Sequence, residues 1–172
     1  YPANRAHPIT SQVHAAFLSR AGAAVRVAAR SVADRARGLR ASSAAEGRTA
    51  LAISAKVGAV AGADLLVVEL FAFLHDSQRR NEFEDELHGE RAAEYAASMN
   101  RRFFDLQDTQ LTQLVNAIRF HSDGDIHQCT TIQTCWDADR LDLGRVGIKP
   151  AARYLSPVAS KHIQTAYEWS RL

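Results

Sequence analysis

The sequence predicts an all-α fold, a compact helical bundle, on three observations. No stretch of any length alternates apolar and polar residues as a half-buried strand does. Apolar residues recur instead at helical spacing between capping and stopping residues. Only four Pro and nine Gly interrupt 172 residues. A chain of this length, 47% hydrophobic and 23% charged, is the size of one domain and can bury a sizeable core, which argues against wholesale disorder.

The first fifty residues differ in kind from the rest. They hold eight Arg, no Lys, and only Asp34 and Glu46 as acids, a net +6; the other 122 residues carry 13 basic and 17 acidic side chains, a net −4. Ala15 to Ala50 is mostly Ala, Arg, Ser and Gly. Phe17, Leu18, Val25, Val27, Val32 and Leu39 could form a thin helical stripe. Three readings stand for this segment: an amphipathic helix on the main body, an Arg-rich transit segment, or a loosely held or altered region such as a shifted reading frame leaves. Residues 1–50 are therefore set apart from 51–172, and packing is expected to be less dense over 15–50 than over 64–121. Without Lys or aromatic interleaving, the arm is not expected to bind nucleic acid.

The punctuation then becomes regular. Leu51 to Ala61 reads as a helix ending near Gly62. Asp64 is placed to cap Leu65–Ser77, which is apolar nearly all round and so belongs at the centre of the bundle. Asn81 to Leu87 is polar and reads as a loop or a short turn. His88 to Arg102 is a helix whose Ala92, Ala93, Ala96 and Ala97 allow close packing. Asp108 is placed to cap Thr109–His121, with Leu111, Leu114, Val115 and Ile118 on one face, and Ser122-Asp123-Gly124 stops it. Thr130 to Asp142 is a further helix, with Trp136 and Leu141 inward and Asp137 and Asp142 as surface or capping groups. Gly144 to Pro150 is irregular, and Ser156-Pro157 starts a last helix to Trp169.

No run of eighteen apolar residues occurs, so a membrane span is not expected. Cys129 and Cys135 make neither a disulfide framework nor a zinc pattern, and the expectation is a reducing, cytoplasmic compartment. The sequence has no Gly-rich phosphate loop, Gly-x-Ser-x-Gly elbow or His-Glu-x-x-His signature. Cys135 beside Trp136 reads as an inert buried thiol rather than a nucleophile.

The chemistry gathers at helix ends. His75-Asp76 closes the most apolar helix, His88 opens the next, His121 closes a third, and Asp139 lies in Cys135-Trp136-Asp137-Ala138-Asp139-Arg140-Leu141-Asp142. Imidazoles and carboxylates from separate helices are how a bundle builds a metal site. Each alone reads more simply, the histidines as caps favoured by the helix dipole and Asp139 as a surface ion pair or an N-cap.

Taken in order, Phe71-Ala-Phe-Leu-His75-Asp76-Ser77, His88-Gly89-x-Arg91-Ala92-Ala93, His121 and the Asp139 segment resemble the HD-domain metal-dependent phosphohydrolases, and within them a small bacterial branch with an His-Asp-Ser-x-Arg-Arg-Asn loop. The resemblance covers roughly Leu51 to Leu155. It implies an HD-domain-like helical bundle over 51–172 and a divalent ion (Mn, Mg, Ni, Co, Fe or Zn) held by His75, Asp76 and Asp139, with His88 and His121 matching the added histidines of two-metal branches. The implied activity is hydrolysis of a phosphorylated small molecule, plausibly a nucleotide. Asp76 would bind metal and orient water, and Arg79 and Arg80 would grip phosphate. The plainer reading pairs these arginines with Glu82, Glu84, Asp85 and Glu86. His75, Asp76, His121 and Asp139 are expected to converge.

One motif of that family is missing. Its first metal His belongs on the preceding helix, yet no His occurs between Ala15 and Leu74. The corresponding place falls near Glu46, whose carboxylate is one replacement; His14 is another if the N-terminal segment folds back. The alternative function is accordingly a degenerate relative that binds metal or nucleotide without efficient turnover.

Overall fold

The computed structural model describes residues 62–81 and 84–169, and every regular element among them is helical. The readings on residues 1–50, Leu51–Ala61, Glu46 and His14 lie outside the described residues. Five α-helices, α1 (Leu65–Leu74), α2 (His88–Met99), α3 (Asp108–Arg119), α4 (Thr130–Asp142) and α5 (Ile163–Trp169), pack without a strand among these residues. None is long and apolar enough to cross a membrane.

Asp64 caps α1 as its sequence position predicts. Its Oδ1 accepts the amides of Leu66 at 3.1 Å and Val67 at 3.4 Å, satisfying two donors that a helix start leaves unpaired. The same residue ties three elements together. Oδ2 accepts Gln110 Nε2 of α3 at 2.8 Å, and its backbone amide donates to Thr131 Oγ1 of α4 at 3.1 Å. Val67, Val68, Leu70, Phe71, Ala72 and Leu74 are all buried, which makes α1 the central helix. Each fully buried large side chain contributes about 1.5–3 kcal/mol. The helix ends at Leu74, three residues before the expected Ser77, because Ser77 turns back: its hydroxyl and its amide both donate to the Leu74 carbonyl.

Helix α2 lays Ala92, Ala93, Ala96 and Met99 against the core. It stops at Met99 rather than Arg102, since Asn100 is extended and its Oδ1 accepts the Leu106 amide at 2.9 Å. At its other end, Gly89 lies so close to α3 that a Cβ there would stand 2.8 Å from the Arg119 carbonyl oxygen. That close approach sets His88 beside the end of α3.

The cap of α3 is Gln107, one residue before the expected Asp108. Gln107 and Gln110 bond each other's backbone amides reciprocally, a capping box that puts Asp108 inside the first turn. The helix ends at Arg119, and His121 falls in the turn beyond it. Helix α4 has the bounds expected of it and is buried along most of its length. Trp136 and Leu141 point inward.

Asp137 and Asp142 are not surface groups. Asp137 is 1% exposed and accepts Gln133 Nε2 at 2.8 Å and the Ser156 amide at 2.9 Å. Asp142 is buried beside Arg145, 3.3 Å away. Both lie under the C-terminal segment, which forms a second, smaller apolar cluster from Leu141, Leu155, Ala159 and Ala166. A 3₁₀ turn over Leu143–Val146 opens the region expected to be irregular. Ser156 acts as a cap, its Oγ accepting the Ala159 amide, but the turn it introduces is 3₁₀ over Ala159–His162 before α5 begins at Ile163.

Candidate metal centre

His75, Asp76, His88, His121 and Asp139 come together from the end of α1, the start of α2, the turn after α3 and the inner face of α4. The three imidazoles are buried, at 9%, 5% and 4% exposure. The carboxylates of Asp76 and Asp139 keep 21% and 23% of their side-chain surface open, so the cluster has a mouth. His75 stacks on Phe71, and the rings of His75 and His88 each meet His121 nearly edge-on.

Each imidazole is oriented by the backbone. Nδ1 of His75 donates to the Phe71 carbonyl at 3.1 Å, Nδ1 of His88 to Asp85 at 2.5 Å, and Nδ1 of His121 to Ile118 at 2.7 Å. A carbonyl oxygen only accepts, so all three Nδ1 atoms carry the proton. In the neutral rings every Nε2 then presents a lone pair inward, the arrangement that prepares histidines for metal ligation.

The inward atoms form a tight triangle. His88 Nε2 and His121 Nε2 are 3.0 Å apart, and each lies near Asp76 Oδ1, at 3.3 and 3.4 Å. Two facing lone pairs at 3.0 Å repel unless a proton or a cation sits with them. Ligand atoms about 2.1 Å from one ion, at tetrahedral or octahedral angles, stand roughly 3.0–3.4 Å from one another. The triangle has those edges. Asp76 Oδ1 is buried and makes no well-formed hydrogen bond of its own. Asp76, His88 and His121 thus form a group that could hold a metal ion. On the other side of the same carboxylate, Oδ2 lies 3.8 Å from His75 Nε2, which stands 3.4 Å from Asp139 Oδ1.

Electrostatics bind the cluster together. Burial pulls the His75 pKa down, but the Asp76 charge and the Asp139 hydrogen bond and charge outweigh it and raise the pKa to about 9. Burial pushes Asp76 up, and the neighbouring His75, His121 and His88 more than reverse it, leaving it well below the usual carboxylate range. Asp139 is likewise lowered, its burial outweighed chiefly by the His75 hydrogen bond. The Asp76 carboxylate beside it raises His88, against its burial.

These shifts fix a pH profile for the chelator-treated protein. A His75 proton held up to about 9, against an ordinary 6.5, contributes stability that is fully present below pH 6.5 and lost as pH rises through 9. The lowered Asp76 and Asp139 contribute stability present above their ordinary 3.8, and lost as pH falls through their lower folded values. Thermal melts should show greatest stability near pH 5–6.5, with up to about 3 kcal/mol lost from the His75 contribution between pH 6.5 and 9. A melting temperature that climbs over that interval would contradict this account.

The loop between α1 and α2 carries the arginines. Arg79 turns inward, its Nε 3.3 Å from Asp76 Oδ1 and its Nη2 3.0 Å from His88 Nε2, so its partner is not the expected loop acid. Arg80 is exposed, and its backbone amide donates to Asp85 Oδ2 at 2.7 Å. Asp85 is taken by Arg91 of α2, whose Nη2 reaches both carboxylate oxygens at 2.6 Å and the Gln78 carbonyl at 3.1 Å. Arg91 and Asp85 therefore fix the carbonyl that orients His88. Ser122 Oγ lies 3.4 Å from His88 Nε2. Sequence reasoning assigned no role to Arg91, Asp85 or Ser122 in the centre, although Arg91 stands in the His88-Gly89-x-Arg91 motif. Cys135 is buried at the core, which raises its thiol pKa well above the ordinary value.

Comparison with protein-family models, with characterised proteins and with solved structures finds no match to this chain.

Proposed function

We propose that this cluster is the divalent-metal centre of a phosphohydrolase of the HD-domain kind, acting on a phosphorylated small molecule. The observation that carries the reading is the triangle of Asp76 Oδ1, His88 Nε2 and His121 Nε2, with edges of 3.0–3.4 Å and every ring oriented through Nδ1. Imidazole and carboxylate together suit Mn, Fe, Co, Ni or Zn better than a site of oxygens alone. When bound, the ion would supply Lewis acidity toward a phosphoryl oxygen and an attacking water.

The chain's own residues divide the remaining work. Asp76 faces both halves of the cluster and is placed to bind the ion and to orient a water by accepting a hydrogen bond from it. His75 and Asp139 hold each other in place on its far side. Arg79 reaches the cluster from the loop between α1 and α2, and the exposed Arg80 follows it; their guanidinium groups are suited to taking phosphate oxygens in pairs.

A second reading has one observation behind it, the absence of His between Ala15 and Leu74. On that reading the centre binds an ion with fewer ligands and turns substrate over poorly. One assay series separates the two. Chelator-treated protein reloaded with Mn²⁺, Co²⁺, Ni²⁺ or Mg²⁺ should release phosphate from at least one nucleotide or sugar phosphate, and lose that activity on renewed chelation. Metal retention without turnover on any ester favours the second reading. Failure to retain any ion overturns both.

A further inference from the structure

We infer that Arg79 is a displaceable internal cation, which competes with a divalent ion for Asp76 and His88 and leaves the cluster when the ion arrives. The inference rests on the metal reading above. Arg79 touches two of the three atoms of the triangle: its Nε is 3.3 Å from Asp76 Oδ1 and its Nη2 is 3.0 Å from His88 Nε2. The His88 ring has its Nδ1 proton committed to the Asp85 carbonyl, so Nε2 offers one lone pair. That lone pair can accept from the guanidinium or bind an ion, not both.

The hold on Arg79 is strong in charge and weak in geometry. Its Nε is buried without a well-formed hydrogen bond, although a carboxylate stands beside it. The side chain is one-third exposed (33%), so the way out to solvent is open. Arg91 shows how an arginine is fixed in this loop, with Nη2 on both oxygens of Asp85 and on the Gln78 carbonyl. Arg79 has no such clamp. A divalent ion brings more charge to the same carboxylate and needs the same imidazole, so its binding expels the guanidinium toward the mouth. There, three residues from Asp76, it is released to hold an anion beside the ion. Cation arrival and anion capture are thereby coupled through one side chain.

Mn²⁺ titrations of the chelator-treated full chain, with free Mn²⁺ read by electron paramagnetic resonance, test this without reference to activity. Arg79→Met keeps the length of the stem and removes the competing donors, and should tighten Mn²⁺ binding about tenfold. Arg79→Gln serves the same purpose should the Met variant fail to fold. Arg80→Met removes an equal charge one residue along, and should leave the dissociation constant within about twofold. An Arg79→Met affinity equal to or weaker than wild type overturns the inference and leaves the metal reading standing. An Arg80→Met gain as large as that of Arg79→Met also overturns it, since a general charge effect then suffices. Absence of Mn²⁺ binding in wild type and both folded Arg79 variants overturns the metal reading and this inference with it.

Discussion

Asp76→Ala is expected to abolish metal retention and, with it, any metal-dependent phosphate release. Among the described residues no other side chain faces so many members of the cluster. Oδ1 lies 3.3–3.4 Å from His88, His121 and Arg79, and Oδ2 lies 3.8 Å from His75. Its removal leaves two imidazole nitrogens 3.0 Å apart with no anion beside them, so an ion drawn there loses the one full negative charge of the triangle. Removing a group that only supports a ligand costs about 10–100-fold in affinity, and loss of a ligand carboxylate should exceed that range. Asp76→Asn separates shape from charge, keeping an oxygen without its negative charge, and should retain weak binding but little turnover. Metal content after dialysis, read beside phosphate release, checks both variants. Stoichiometric metal in Asp76→Ala would move the centre elsewhere in the molecule. The loss should also lower the His75 pKa, because the Asp76 charge is the foremost influence raising it.

Local patterns made the helices legible. Asp64 before an apolar run, and Thr130 to Asp142 between stopping residues, needed only capping chemistry and periodicity. Asp108 was misleading because cap preference ranks Asp well above Gln, whereas the reciprocal bonds of Gln107 and Gln110, with Gln110 also reaching Asp64, shift the start by one residue. Asp137 was misleading for a different reason. Its burial depends on Ser156 arriving from nineteen positions away, and nothing in the α4 sequence announces a covering segment. The members of the cluster were nameable because His75-Asp76, His88, His121 and Asp139 followed a resemblance in order; composition alone predicted only a bundle. What orients them was hidden, since the acceptors are main-chain carbonyls of Phe71, Asp85 and Ile118 and no residue type marks them. The inward turn of Arg79 was hidden too. A loop arginine three residues after an aspartate reads as readily toward Glu82 or Asp85, until Arg91 is seen to hold Asp85 from α2.

Gly124→Ala should destabilise the protein by roughly 3 kcal/mol and weaken metal binding in the same step. A Cβ at this position would lie 2.3 Å from the Trp136 ring, far inside van der Waals contact. The indole cannot easily yield. It is 4% exposed, its Nε1 donates to the Ala117 carbonyl at 3.0 Å, and the Arg140 guanidinium lies over its face at 5.4 Å. That guanidinium is itself fixed by the carbonyls of Gly124, Asp125 and Tyr154. Strain at Gly124 is therefore passed either to the turn that carries His121 and Ser122 or to α4, where Asp139 is three residues beyond Trp136. Both routes end in the candidate metal centre. A shift of a few tenths of an ångström at either end spoils contacts that stand at 3.0–3.4 Å. Asp123→Ala, on the exposed neighbour, should cost less than about 0.5 kcal/mol and leave metal affinity unchanged. Denaturant unfolding and Mn²⁺ titration of both variants read the two effects separately. Full stability in Gly124→Ala would mean that Trp136 has room to rotate away. Lost stability with wild-type metal affinity would mean that the turn absorbs the strain before it reaches His121.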